Sequence, residues 1–264
     1  MKVIVGDAGL PDRDGVVTVS SLGEAAAVLD STRGRDVLLV SGPAELERSS
    51  RIARTALARG DVALVVLGGH RTARTILAAC LLALPADRYG SAPGVVAAAA
   101  PLVRTRLALT SVARLAEPAP SLLQHIVGWV PSTVFDVDVT GGHVHTTKEI
   151  TWTAAEGDFI AWEASKEQRR LPVTLAGPAP AITLTAPTQA PPWRARSWVA
   201  MSSVDRAPEQ LLADILPRLP GRACPMCHRA ADAAWCLYCG HVLTHDPQGA
   251  LSPMSASARG GAAR

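Results

Sequence analysis

Cys224, Cys227, Cys236 and Cys239 lie close together near the end of the chain. They read Cys224-Pro-Met-Cys227, eight intervening residues, then Cys236-Leu-Tyr-Cys239-Gly240. Two C-x2-C pairs on neighbouring turns can place four thiolates around one tetrahedral point, at about 2.3 Å per sulfur for Zn2+. Four protein ligands leave no open position for water or substrate, so the ion expected here is structural. His228, His241 and His245 are nearby, but the tetrahedron is already full, and they read as outer neighbours of the sulfurs. Cys80 sits in an apolar run and reads as a small buried hydrophobe.

Two other groups of residues could carry chemistry. Gly68-Gly69-His70-Arg71-Thr72 joins a strand end to a helix start. Backbone N–H groups and the helix dipole could hold an anion there, helped by His70, Arg71 or Arg74. The same residues also suit a tight strand–helix turn with Thr72 or His70 near the cap. The second group is a hairpin face. With Gly141 and Gly142 as a two-residue turn, Asp138 falls opposite His145, and Asp136, Asp138, His143 and His145 share one face. Two imidazoles at i and i+2, with carboxylates across the ladder, could bind a divalent metal. A wet strand face with a modest Asp138–His145 pair explains the same pattern. A dinucleotide fingerprint is missing: Gly6-Asp-Ala-Gly9 opens no helix, and G-x-G-x-x-G does not occur.

The elements that must position these residues fall into blocks. The apolar runs 37–40 and 62–67 lack polar alternation, as strands buried on both faces do in parallel sheets. Residues 1–5 and 16–19 are two further strands. Helical stretches cover 22–32, 44–59 and 72–84. This βα order predicts a doubly wound, Rossmann-like parallel sheet over residues 1–116. The stretch 91–116 reads as helix, broken at Pro101. Residues 117–131 form a linker with a short helix over 121–129. From Ser132 the period changes to two, and residues 132–204 read as an antiparallel, β-rich domain. Its strands begin with the 134–139 and 143–152 hairpin and a return strand over 158–162. Short runs at 172–175 and 181–185 follow, and Trp193–Met201 closes the set, with tryptophans in the core. Residues 205–220 form an amphipathic helix, 221–245 the cysteine module and 246–264 a mobile tail.

The stretch 224–242 resembles the short zinc-ribbon modules of bacterial proteins, which read C-P-x-C-G, a short insert, then C-x-x-C-G. The second knuckle matches. The first has His228 where glycine is usual, which strains it without removing a ligand. The resemblance implies zinc and no particular activity.

Composition narrows the function classes. The 264 residues are 48% hydrophobic and only 4% aromatic, ample for packed cores in about two domains. There are 23 arginines and three lysines, a skew that reflects base composition more than a binding surface. A net charge of +3 and a pI near 8.7 are too small and too spread out for a dedicated polyanion binder. Neither an export signal nor a stretch of about 18–20 apolar residues is present, so a cytoplasmic protein with reduced thiols and no membrane contact is expected.

The function expected from these features is a non-enzymatic interaction or assembly protein, with the ribbon available for docking to another protein or to a second copy. Two alternatives stay open. One is nucleic-acid binding through Arg222, Arg229 and the Trp193, Arg194, Arg196, Trp198 strand. The other is an enzyme using the Gly68–Thr72 anion site or a His143/His145 metal.

Overall fold

A computed structural model describes residues 1–5, 10, 15–19, 22–42, 60–127, 130, 133–168, 171–185 and 193–243. The expected helix over 44–59, the Gly6–Gly9 loop, His245 and the 246–264 tail lie outside these residues.

Strands β1 (Lys2–Val5), β2 (Val16–Val19), β3 (Val37–Ser41) and β4 (Val62–Val66) form a parallel sheet in the order β2-β1-β3-β4. The strand β3 shows why its run is unbroken by polar residues. Val37 and Leu39 pack with Val3, Val19 and Leu29, whereas Leu38 and Val40 pack with Ala63, Val65 and Ile76 on the other side. The first face is covered by α1 (Leu22–Ser31) through Ala25 and Leu29. The second is covered by α2 (Arg71–Ala83). Each strand therefore has two apolar faces to fill, which requires a continuous apolar sequence. Four parallel strands with helices on both faces bear out a mixed α/β fold; a Rossmann-like label goes further than these strands carry.

The helix α2 is itself sandwiched. Its far side meets Ala161 and Val204 of a second sheet, and α3 (Ala92–Ala99) and α5 (Pro208–Ile215) lie alongside it in the same core. That second sheet has six strands in the order β11-β9-β12-β5-β6-β7. They are β5 (Arg104–Leu109), β6 (Val134–Asp138), β7 (His143–Thr147), β9 (Phe159–Ala164), β11 (Ile182–Leu184) and β12 (Trp198–Val204). The strand β8 (Ile150–Thr153) pairs with β10 (Val173–Ala176) in a separate two-stranded sheet. Ile150 and Trp152 of this pair, with Leu171 just before β10, cover the sheet's outer face against Ala108, Ile160, Val199 and Met201. Between β5 and β6 lies the short helix α4 (Leu122–Val127).

Several expectations are corrected here. Residues 91–116 are not one helix: α3 ends at Ala99 and β5 follows in the centre of the second sheet. In Arg104-Thr-Arg-Leu-Ala-Leu109, Thr105, Leu107 and Leu109 face the core while Arg106 faces out. This is the period of a strand. The β-rich region is mixed rather than antiparallel, since β11 runs parallel to β9 and β10 parallel to β8. Residues 158–162 do not return against the preceding strand; β9 pairs with β12 and β11 instead. The last strand begins at Trp198 rather than Trp193. In the β6–β7 hairpin Asp138 pairs with His143 and Asp136 with His145, so the loop spans residues 139–142. The slip from the expected register is two residues, and a shift by the side-chain period keeps every residue on its expected face.

Candidate metal centre and polar hub

The four cysteines gather at one point, with their sulfurs all within 4.8 Å of one another. Cys224 Sγ lies 3.6 Å from Cys239 Sγ, and Cys227 Sγ 3.5 Å from Cys236 Sγ. Bonds of about 2.3 Å to a tetrahedral ion would put sulfurs roughly 3.8 Å apart, so the donor set fits Zn2+.

Each knuckle is built the same way. Cys224 N–H donates to Arg229 O and His228 N–H to Cys224 O, both at 2.8 Å. In the second, Cys236 N–H donates to His241 O at 2.8 Å and Gly240 N–H to Cys236 O at 2.9 Å. His228 and Gly240 occupy the same left-handed position, with φ of 60° and 74°. The sequence's departure at His228 is therefore a strained turn with all four ligands in place.

Backbone N–H groups point at the sulfurs. Burial opposes ionisation of Cys224, but hydrogen bonds from the backbone of Cys227 and Met226 bring its pKa down to about 7. Burial raises the pKa of Cys227, Cys236 and Cys239. Hydrogen bonds from the backbone of Arg229 to Cys227, of Tyr238 and Cys239 to Cys236, and of His241 to Cys239 partly offset it. Such outer contacts orient thiolates round a metal. Cys80 is buried away from this site, and burial pushes its thiol up to about 12. A thiol held protonated in this way is inert.

The predicted anion residues do come together, at the start of α2 between the two sheets. His70 is the N-cap: its Nδ1 accepts from Thr72 N–H at 3.3 Å and lies 2.9 Å from Thr72 Oγ1. Thr72, Ser202 and Thr105 continue a chain of buried hydroxyls, with oxygens 2.7 and 2.8 Å apart. Arg71 pairs with Glu163, which is only 1% exposed, and also donates to Thr185 O at 2.7 Å. Arg74 donates to Gly69 O at 2.8 Å. The His70 ring stacks on Trp193 with centroids 5.2 Å apart. Burial above all, then the charges of Arg74 and Arg71, holds the His70 pKa near 4. The cap, the imidazole and both guanidinium groups are thus engaged by the protein itself. Glu163, Ser202, Thr105 and Trp193 were not foreseen. Glu163 had a signal: a lone acid at an inward position of Phe159-Ile-Ala-Trp-Glu163.

The hairpin face brings its four residues together differently. Arg106 pairs with Asp136, which also accepts from Trp152 Nε1 at 3.0 Å. Asp138 accepts from Gly141 N–H at 2.7 Å and so braces its own loop. The His143 and His145 rings are 6.1 Å apart. Among the described residues, the cysteines are the only set of three or more potential ligands drawn together. The expected alternative of a metal held by His143 and His145 is corrected accordingly.

No protein family matches the sequence, and no curated protein matches it. Solved structures show a distant likeness. A DegV family protein from Corynebacterium glutamicum matches at 14% identity and a TM-score of 0.44, over 77% of this chain and 95% of that one. The fatty acid kinase (Fak) B3 protein from Streptococcus pneumoniae, loaded with linoleic acid, matches at 11% and 0.46, over 77% and 98%. At these values the likeness carries no ligand or activity across.

The expected docking function is corrected. The inner face of the cysteine module, which docking would need, is spent within the chain: Cys224, Ala231, Cys236, Leu237 and Tyr238 are buried in the core that contains α2 and α5. The nucleic-acid reading is corrected as well. Trp193 and Trp198 are 5% and 4% exposed, packed with Leu107 and Phe135, and have no free face for a base. Arg229 is turned onto the protein. Among the described residues no helix is long and apolar enough to cross a membrane.

Proposed function

We propose that the chain is a metal-binding protein whose cysteine cluster holds one structural Zn2+ in a short zinc-ribbon module. The observation that carries this reading is the convergence of four sulfurs, from two matched knuckles, within one coordination sphere. Four thiolates fill the ion's coordination, so it folds the module rather than activating water. The described part of the module, residues 221–243, is too small to fold on its own core, and metal binding supplies its folding free energy. The cluster also faces a core shared with α2 and α5, so the ion's stabilisation extends to the body of the protein.

The test is metal content across variants. The wild type should carry one zinc per chain, Cys236→Ala should lose it, and His143→Ala with His145→Ala should keep it. Metal retained in the cysteine variant and lost in the histidine variant would refute the assignment.

A further inference from the structure

The face of the cysteine module turned toward the protein is tied at one particular place, the entry ends of the parallel strands. Arg229 follows the first knuckle and is fixed from both sides by ligand residues. Its carbonyl accepts from Cys224 N–H, and its own N–H donates to the Cys227 sulfur. Its guanidinium then reaches out of the module. Nη1 donates to Gly60 O at 2.7 Å and Nη2 to Asp36 Oδ1 at 2.9 Å. Gly60 and Asp36 lie just before β4 and β3.

The second knuckle supplies the matching part. Tyr238 donates its N–H to the Cys236 sulfur, and its ring lies under the Arg229 guanidinium, 4.6 Å from the centroid. The ring is only 4% exposed. One residue from each knuckle, each bound to a ligand sulfur through its backbone, thus forms a single cation–π pair aimed at the same strand ends.

Those strand ends are themselves linked. Asp36 O accepts from the Met1 ammonium group at 3.0 Å, which also lies 3.4 Å from the Tyr89 hydroxyl. Val37 N–H donates to Asp61 O at 2.9 Å, and Leu38 N–H to Met1 O at 3.0 Å. The starts of β1, β3 and β4 therefore share one hydrogen-bonded knot, and Arg229 closes it from outside. A second tie lies beside it: the Asp232 side chain is fully buried, 3.9 Å from Arg88 Nη2. Ala230 O also presses against Gly90.

We infer that metal occupancy of the cysteine cluster is transmitted through Arg229 and Tyr238 to the starts of β1, β3 and β4, so that the module is a metal-dependent latch on the parallel sheet. The inference rests on the zinc reading above. When the ion leaves, nothing draws the four sulfurs to one point, and the N–H···S bonds that fix the Arg229 and Tyr238 backbones weaken. The strained His228 turn then loses what holds it. Arg229 is released, and Asp36 and Gly60 O turn to water. Among the described residues, the Arg229 and Tyr238 side chains bond to neither β5 nor β12, which pair with each other at the centre of the six-stranded sheet. The response is therefore local to the four-stranded parallel sheet.

The test is amide hydrogen exchange on the full chain, with metal content measured on the same samples. Three states are compared: wild type as purified, wild type after chelation, and Arg229→Ala, which keeps all four ligands. Chelation should speed exchange at least about tenfold in peptides covering residues 34–40 and 60–66, while those covering 104–109 and 198–204 stay within about twofold. Arg229→Ala should retain one metal and show the same local acceleration without chelator. Metal removed with no change at 34–40 and 60–66 would overturn the latch and leave the zinc reading standing. Absence of metal from the purified protein would overturn both. If chelation accelerates both sheets alike, the variant decides. A metal-loaded Arg229→Ala that exchanges like wild type at 34–40 ends the proposal, and one that opens there alone upholds it.

Discussion

Arg229 reaches Asp36 across 193 positions of sequence, with Nη2 2.9 Å from Oδ1. Both side chains are about one-third exposed, at 34% and 36%, so solvent screens the pair. A double-mutant cycle with Arg229→Ala and Asp36→Ala should give a coupling of about 0.5–1 kcal/mol in urea unfolding. A coupling indistinguishable from zero would show that the contact is incidental.

Gly90 is required by the approach of the module. A Cβ there would lie 1.5 Å from Ala230 O and 2.6 Å from its carbonyl carbon, both backbone atoms that cannot rotate away. Gly90→Ala should cost roughly 3 kcal/mol, the upper range for overpacking, or free the module from the body. Urea midpoints together with tryptic cleavage at Arg222 and Arg229 distinguish these forms. Gly68→Ala, where an added Cβ meets nothing within 4 Å, is the control and should stay within about 0.5 kcal/mol. Equal midpoints for the two variants would contradict the packing described here.

The two knuckles make a matched experiment. His228 and Gly240 hold the same positive φ, and only glycine does so without steric cost. Relief of strain of about 1–2 kcal/mol is partly cancelled by the greater freedom of glycine when unfolded. His228→Gly should therefore stabilise the module by up to about 1 kcal/mol, and Gly240→Ala should destabilise it by about 1 kcal/mol. Competition with a zinc chelator reads both, as tighter and weaker retention. The opposite order would refute the equivalence of the two turns.

The sequence was most informative where one residue type serves one purpose. Four cysteines at knuckle spacing announced their own site because few other arrangements need them. The apolar runs of β3 and β4 announced a buried parallel sheet for a similar reason. Legibility failed where local pattern and tertiary pairing compete. In residues 104–109, Ala and Leu suit a helix, and only pairing with β12 and β6 makes them a strand. Trp193 and Trp198 read as core, with base stacking left open, because a period of two does not show which face is buried. The hub at α2 was half legible. His70, Arg71 and Thr72 are adjacent in sequence, whereas Glu163 and Ser202 join them only through the stacking of α2 on the second sheet.

His70 gives the chain a pH dependence with a definite sign. Its pKa is held near 4 in the fold against about 6.5 when unfolded. Between those values the unfolded chain binds a proton that the folded chain does not. Stability is therefore full above about pH 6.5 and falls as pH drops toward 4. The loss is at most about 3 kcal/mol from this group. His70→Asn keeps an N-cap oxygen and removes the titration. Unfolding free energies at pH 7 and pH 5 should then differ less in the variant than in the wild type. An unchanged difference would show that His70 is not held neutral.

The most direct test of the account is elemental analysis of the purified protein, combined with thiol counting. The account predicts one zinc per chain. It also predicts four thiols that stay unreactive until a chelator is added, beside a fifth, Cys80, that reacts only on unfolding. A folded chain with no metal and with Cys227 and Cys239 reacting at once would contradict it.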